Sequence, residues 1–164
     1  MTTISIDEDR GDFTLYQGKY NAAPIEVKSL LVGGGYETNN AILNLSMFLS
    51  LEHLLIGSKC FHTVRNFTLD SMPNLKTVRV MSYSISLAQQ KLNNGHCRIV
   101  NCPELYSISF GYQSFSDYHF LELRQLKSLK YLEIGHAGFH EGKLFSLRGR
   151  MVLLEICIHD YIIT

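Results

Sequence analysis

The sequence predicts a mostly β solenoid, in which about five turns of chain stack on one another and form a parallel sheet on one face. Three observations lead to this prediction. A short apolar pattern recurs along the chain, its copies are almost evenly spaced, and a second apolar pattern recurs between them. Such self-similarity is typical of repeat proteins, in which each turn buries its apolar face only against its neighbours.

The first pattern is apolar-x-x-apolar-x-apolar. Its six copies are VKSLLVG from Val27, LEHLLIG from Leu51, LKTVRVM from Leu75, LYSISFG from Leu105, LKYLEIG from Leu129 and LLEICIH from Leu153. Their first residues are 24, 24, 30, 24 and 24 residues apart. The last four positions of each copy alternate, which is typical of a strand, so we expect each copy to pair in parallel with the next.

The other half of each turn has apolar positions of its own. One apolar or aromatic residue comes first, at Phe61, Ile85, Phe115 and Phe139. An alternating pair follows, at Leu43/Leu45, Phe67/Leu69, Cys97/Ile99, Leu121/Leu123 and Phe145/Leu147, and then a single position at Phe48, Met72, Cys102 and Leu126. This period of two favours short extended segments or turns and little helix.

The longest unit carries six extra residues, which fall within the polar stretch Ser86–Asn94. We expect a loop there, because insertions in a solenoid go to loops. One helical turn over Leu87–Leu92 is the alternative.

Residues 1–26 fit the repeat poorly, and we interpret them as an N-terminal cap or a degenerate half-repeat. Residues 27–164 are interpreted as the solenoid, with repeats starting at 27, 51, 75, 105 and 129 and a last strand from 153. Two units depart from the pattern, with Glu37 at an aromatic position and Arg150 at an apolar one. Atypical terminal repeats are what capping would produce. Four of the six strand segments are followed by glycine, at Gly33, Gly57, Gly111 and Gly135. A positive φ at these glycines would allow a sharp bend.

The apolar-x-x-apolar-x-apolar signature with a period of 24 resembles the leucine-rich repeat. The elements IGSKCF, FGYQSF and IGHAGF are similar to the surface-antigen (BspA-like) class and its relatives in unicellular eukaryotes, although the asparagine usual after the strand is absent. The resemblance implies a leucine-rich-repeat solenoid, an α/β-class right-handed superhelix that is here mostly β. It also implies that the sheet face binds a partner.

Alternation along each predicted strand places two residues per turn on the outside of the sheet. The candidate partner-binding strip consists of Ser29, Leu31, His53, Leu55, Thr77, Arg79, Ser107, Ser109, Tyr131, Glu133 and Glu155. Leu31 and Leu55 are expected to form a small exposed apolar patch of the kind that marks an interface. The alternative is that these residues simply cover a sheet.

Composition limits the classes of partner. Fifteen basic and fifteen acidic residues cancel, and no block of like charge is present, so we expect no nucleic-acid partner. No apolar run is long enough to span a bilayer. The polar, acidic N-terminus does not resemble a secretory signal, so we expect a cytoplasmic protein with reduced cysteines.

No residue set points to catalysis, a cofactor or a metal. The run Gly33–Gly35 lacks the lysine and helix of a phosphate loop, and the pair His136 and His140 is expected to be solvated in a turn. Cys97 and Cys102 occupy core positions. Cys157, His159 and Asp160 lie too close together in sequence to converge on a substrate.

Three functions follow in order of preference. The first is a non-enzymatic protein-interaction module that uses the strip to bind a protein. The second is a structural or self-assembling array that associates end to end, with a fragment of a longer solenoid as one form of it. The third is a cysteine-dependent enzyme.

Overall fold

The computed structural model describes the backbone of residues 3–6, 26–87, 94–139, 144–148 and 155–158, and the side chains within 26–87 and 94–139. Almost all regular structure in these residues is β. The strands are β1 (Thr3–Ile6), β2 (Ser29–Val32), β3 (Ile42–Asn44), β4 (His53–Ile56), β5 (Asn66–Asp70), β6 (Thr77–Val80), β7 (Gly95–Val100), β8 (Ser107–Phe110), β9 (Tyr118–Arg124), β10 (Tyr131–Ile134), β11 (Leu144–Arg148) and β12 (Glu155–Ile158).

The strands form two parallel sheets. Sheet 1 has the order β1-β2-β4-β6-β8-β10-β12, and sheet 2 has the order β11-β9-β7-β5-β3. From β2 onward the chain alternates between the sheets, so each turn contributes one strand to each. Equivalent residues pair across turns, as Leu54 pairs with Val78 and Val78 with Ile108. The fold is therefore a parallel β-solenoid with a spacing of about 24 residues, as the repeat predicts, and it has about four turns where the sequence predicted about five.

The structure adds two features to the predicted architecture. The half-turns opposite sheet 1 were expected to be short extended segments or turns, and they pair continuously into sheet 2. In addition, β1 pairs in register with β2, with Thr3 opposite Ser29. Sheet 1 thus begins within residues 1–26 and has seven strands, one more than the six segments of the repeat.

The core lies between the two sheets, and the predicted apolar columns fill it. The inward residues of β4, β6 and β8 are buried, and so are the residues that the second half of each turn contributes. That second set, within the part of the chain whose side chains are described, comprises Phe48, Phe61, Phe67, Leu69, Met72, Ile85, Cys97, Ile99, Cys102, Phe115, Leu121, Leu123, Leu126 and Phe139. The side chains of Phe145 and Leu147 are outside the described set.

The turn glycines differ from expectation. Among the described glycines only Gly35 has a positive φ, of 80°, so a left-handed bend at Gly57, Gly111 and Gly135 was the wrong explanation. Instead, a Cβ on Gly57 would lie 2.7 Å from the carbonyl carbon of Gly33, and one on Gly135 would lie 2.7 Å from that of Gly111. Glycine is needed because the backbones of successive turns approach closely at this corner.

Two left-handed residues per turn come later in the same corner. Lys59 and Phe61 both have a φ of 60°, and the equivalent residues of the following turns repeat this conformation. Those residues are Tyr83, Ile85, Gln113, Phe115, Ala137 and Phe139. Since the second residue of each pair is a buried apolar side chain, packing in the core holds a backbone conformation that is costly for a non-glycine residue.

A buried polar column also runs through this corner. Ser84 is fully buried, its hydroxyl donates to the carbonyl of Gly57, and it accepts a hydrogen bond from the Cys60 amide at 3.1 Å. In the next turn the buried hydroxyl of Ser114 donates to the Gly111 carbonyl at 2.7 Å. These bonds satisfy corner groups that the sheets do not reach.

The long turn keeps its register on both sides of the extra residues. The amide of Ile85 donates to the Cys60 carbonyl at 2.7 Å, and the amide of His96 donates to the Arg65 carbonyl at 2.7 Å. The extra residues therefore lie between Ile85 and His96, in agreement with the insertion at Ser86–Asn94. Most of the segment Leu87–Leu92 lies outside the described residues, and so does the choice there between a loop and a helical turn.

The first described turn replaces the expected aromatic residue by its neighbour. Tyr36 is buried, whereas Glu37 is exposed and accepts hydrogen bonds from the His62 backbone amide and ring. Glu37 thus joins the corners of two turns. Arg150, the other departure from the pattern, lies outside the described residues.

Candidate binding surface

The outer face of sheet 1 carries the predicted strip. In β6, Val78 and Val80 point into the core, whereas Thr77 is half-buried and Arg79 is exposed. The same alternation in β4, β8 and β10 places these strip residues on the outside: His53, Leu55, Ser107, Ser109, Tyr131 and Glu133. Glu155 lies in β12, paired with Tyr131, and its side chain is outside the described set.

The N-terminal end of the strip is less accessible than expected. Ser29 is only 8% exposed, so it is buried and does not form part of an accessible surface. Leu31 and Leu55 are direct neighbours on β2 and β4 and are half-buried. They form a continuous apolar stretch, although a partly covered one. Access to the strip increases towards Arg79, Tyr131 and Glu133, which are all exposed.

Two hydrogen bonds link strip residues on adjacent strands. The His53 ring nitrogen Nδ1 lies 2.9 Å from the Thr77 hydroxyl, and the Ser109 hydroxyl donates to Glu133 at 2.7 Å. No ion pair is found for Arg79 among the residues whose side chains are described. Arg79 is thus an exposed cation at the centre of the strip.

A charged ladder borders the strip where the sheet 1 strands begin. The Glu52 carboxylate makes an ion pair with the Lys76 ammonium at 2.7 Å and with the Lys28 ammonium at 3.2 Å. One lysine comes from the turn on each side. The hydrogen bond from Lys76, followed by that from Lys28, lowers the pKa of the Glu52 carboxyl. These three charges are one turn apart and satisfy one another.

An open groove continues the line of this ladder towards the C-terminal turns. It has a cavity volume of about 680 Å³ and is lined by Glu104, Tyr106, Lys127, Ser128, Lys130 and Tyr131. Sequence reasoning placed only Tyr131 at a surface of interest. The signal for the others was Tyr106, which takes a ladder position that is charged in each of the three preceding repeats.

The outer face of sheet 2 has a different electrostatic character. Arg98 lies between Asp70 and Glu122, at 3.2 Å and 3.3 Å, and Glu122 also reaches Arg124 at 3.6 Å. The four charged residues with described side chains on this face are therefore engaged with one another across β5, β7 and β9. Sequence reasoning did not identify this network, because it considered only the outward positions of sheet 1.

The cysteines whose side chains are described are packed in the core. Cys60, Cys97 and Cys102 are free thiols and fully buried. Burial raises the pKa of Cys102 to about 11 and that of Cys97 well above its ordinary value. Because the thiolate is the nucleophilic form, these environments disfavour thiol chemistry.

Other sequence candidates are dispersed or lie outside the described region. Among the residues with described side chains, no three His, Cys, Asp or Glu side chains form a metal-binding group. His136 is exposed beside Tyr112, whereas His140 is outside the described residues, as are His159, Asp160 and the Cys157 side chain. No helix in the described part of the chain is long and apolar enough to cross a bilayer.

Comparisons of the chain with protein-family profiles, with curated proteins and with solved structures found no match. The surface is consequently interpreted from the geometry of this chain alone.

Proposed function

We propose that this chain is a protein-interaction module of the leucine-rich-repeat type, which binds a protein partner through the outer face of sheet 1. The observation that carries the proposal is the contrast between the two sheet faces. On sheet 2 the charged side chains that the structure describes pair with one another, whereas on sheet 1 Arg79 has no carboxylate partner among the described side chains and Tyr131 is 43% exposed. Arginine and tyrosine are enriched at the energetic centres of interfaces.

The repeat type is supported by the motif and its spacing. One L-x-x-L-x-I segment per turn supplies a sheet 1 strand, and the period of 24 lies within the leucine-rich-repeat range. The short strands opposite are compatible with that class, in which the second half of each turn varies. The resemblance to the surface-antigen (BspA-like) class belongs to the same proposal.

The strip is tested by site-specific photo-crosslinking in lysate of the source organism. A photoreactive residue at Leu55 or Arg79 should give discrete crosslinked products, because both positions face outward on the strip. The matched control places the same residue at Thr68, a half-buried outward position of sheet 2. A second experiment places the photoreactive residue at Ser109 and compares the unaltered strip with a Leu55→Asp/Arg79→Glu variant. Binding through the strip would be refuted if the variant gave the same crosslinked products. It would also be refuted if the Thr68 control gave the same products as the strip positions.

Self-assembly is the second candidate, and a specific observation favours it. The first described turn exposes three apolar side chains in or next to β3, one of the two edge strands of sheet 2. They are Ile42, Met47 and Leu49, of which Ile42 is 61% exposed. Exposed apolar groups beside a strand edge favour pairing with another chain.

Light scattering over a hundredfold range of concentration distinguishes the two candidates. A mass that increases with concentration, and that an Ile42→Lys/Met47→Lys variant returns to the monomer value, would favour self-assembly. A constant monomer mass in both proteins would exclude association through this edge.

A further inference from the structure

We propose that the groove lined by Tyr106, Lys127, Lys130 and Tyr131 binds an acidic peptide segment in extended conformation. This inference builds on the proposed role in protein interaction and names the chemistry of the partner at one place. The groove shares Tyr131 with the strip, so a partner lying on sheet 1 can extend into it.

The charged ladder leads into the groove, and its charges follow a pattern. Lys28, Glu52 and Lys76 alternate in sign, and Glu52 makes an ion pair with the lysine on each side. In the next turn the equivalent position is occupied by Tyr106, which is uncharged. Lys130 follows one turn later, held in place by a backbone hydrogen bond of 3.0 Å from its amide to the Tyr106 carbonyl. Tyr106 offers no carboxylate to Lys130, in contrast to Glu52, which pairs with the lysines of the turns beside it.

The groove is lined by more positive than negative side chains. Lys127 and Lys130 are exposed, and no ion pair involves either of them among the side chains that the structure describes. Glu104 is the one acidic residue of the lining. The hydrogen bond with Glu52 raises the pKa of Lys76, and the charge of Glu104 adds a smaller effect in the same direction. The groove therefore has two lysines against one glutamate, and that glutamate also interacts with the ladder.

The walls of the groove combine apolar ring surface with polar groups. Tyr106 and Tyr131 are 40% and 43% exposed, so each offers ring surface as well as a hydroxyl. A cavity volume of about 680 Å³ lies within the range of sites for small ligands and short segments. An extended peptide alternates its side chains, so acidic groups can face the lysines while apolar groups cover the tyrosine rings. Two cations are too few for the phosphate contacts that support nucleic-acid binding.

Fluorescence anisotropy tests the proposal on the intact chain. The probe is a fluorescein-labelled octapeptide of alternating glutamate and leucine, and the reference is the same peptide with glutamine in place of glutamate. We expect the acidic peptide to bind at least about tenfold more tightly than the reference, because charge complementarity supplies the difference. Its affinity should fall as salt is raised, since exposed charges are screened.

Variants then locate the binding. Lys127→Gln/Lys130→Gln should weaken binding of the acidic peptide by about tenfold. The control Lys28→Gln/Lys59→Gln removes the same charge elsewhere and should bind as the unaltered chain does. Thermal melting monitored by circular dichroism verifies that each variant is folded. Leu55→Asp/Arg79→Glu changes the strip and leaves the groove residues in place, so failure of the strip and failure of the groove give different results.

Three results would overturn the proposal. The first is equal affinity for the acidic and neutral peptides. The second is equal loss of binding in the groove variant and in its charge-matched control, which would indicate attraction by overall charge. The third is a labelled single-stranded oligonucleotide that binds more tightly than the acidic peptide and depends on Lys127 and Lys130.

Discussion

The ring of Tyr118 occupies the space directly above Gly95. These residues pair across β9 and β7 at a register shift, and a Cβ on Gly95 would lie 2.4 Å from Cδ2 of the tyrosine. The buried Tyr118 hydroxyl then donates to the Val64 carbonyl at 2.6 Å, across 54 residues of sequence. One side chain thereby joins the turn with the extra residues to the turns on either side of it.

Removing the Tyr118 hydroxyl should destabilise the chain with little change in packing. Tyr118→Phe keeps the ring but leaves the Val64 carbonyl without this donor in a buried environment, at an expected cost of about 1–3 kcal/mol. Urea unfolding measures the loss. Tyr112→Phe is the matched control because Tyr112 is exposed, and an equal effect of the two changes would contradict the assigned role of the buried hydrogen bond.

Adding a methyl group at Gly95 should displace the Tyr118 ring. Overpacking of this kind costs about 1–3 kcal/mol, so Gly95→Ala should lower the free energy of unfolding by that amount. Near-ultraviolet circular dichroism should also change, because the tyrosine environment is altered. Asn94→Ala, at the exposed neighbouring position, should have little effect, and a neutral Gly95→Ala would mean that the ring is not confined there.

The buried hydroxyl of Ser84 should be important for the corner. Ser84→Ala removes an acceptor for the Cys60 amide and a donor to the Gly57 carbonyl, with an expected loss of about 1–3 kcal/mol. Ser82→Ala tests a half-buried serine of the same corner. We expect thermal melting to separate the two variants, and equal melting temperatures would show that the buried Ser84 hydroxyl contributes nothing measurable.

Glu52 should confer stability that depends on pH. Its pKa is lowered from 4.5 in the folded chain, so its contribution is present above that value and is lost as the pH falls through the lowered pKa. The difference in unfolding free energy between the unaltered chain and Glu52→Gln should therefore be largest near neutral pH and disappear in acid. High salt should reduce it, because the charges are at the surface.

Denaturant titrations at a series of pH values test this dependence. Glu26→Gln is the control, since Glu26 is exposed and has no ion pair among the described side chains. A difference for Glu52→Gln that does not vary with pH would contradict a role for the charge.

The three buried cysteines should resist alkylation in the folded chain. At pH 7.5 a pKa of about 11 leaves on the order of 10⁻³ or less of the Cys102 thiol as thiolate, before access is considered. Mass spectrometry after brief exposure to iodoacetamide should find Cys60, Cys97 and Cys102 unmodified, and all three modified in urea. Rapid labelling of any of them in the folded chain would favour the cysteine-dependent enzyme instead.

Much of the fold is determined locally and could be predicted. The apolar positions of Leu54, Val78 and Ile108 are set by an alternation that each strand carries in its own residues, and their stacking follows from the period. The same alternation places Arg79 and Tyr131 on the outside. Hydrophobic burial acts on every turn in the same way, so a repeated pattern is sufficient to indicate which side chains form the core.

Other features depend on residues that become neighbours only when the turns stack. Three features arise from contacts between turns. They are the close approach of Gly57 to the backbone of Gly33, the packing of the Tyr118 ring over Gly95, and the groove beside Tyr106. Sequence alone therefore determined the period, the core columns and the outward strip. The tertiary structure decided that the second half-turns close into a sheet and which exposed charges find partners, because backbone approach and ion pairing depend on distances between turns that a single repeat does not contain.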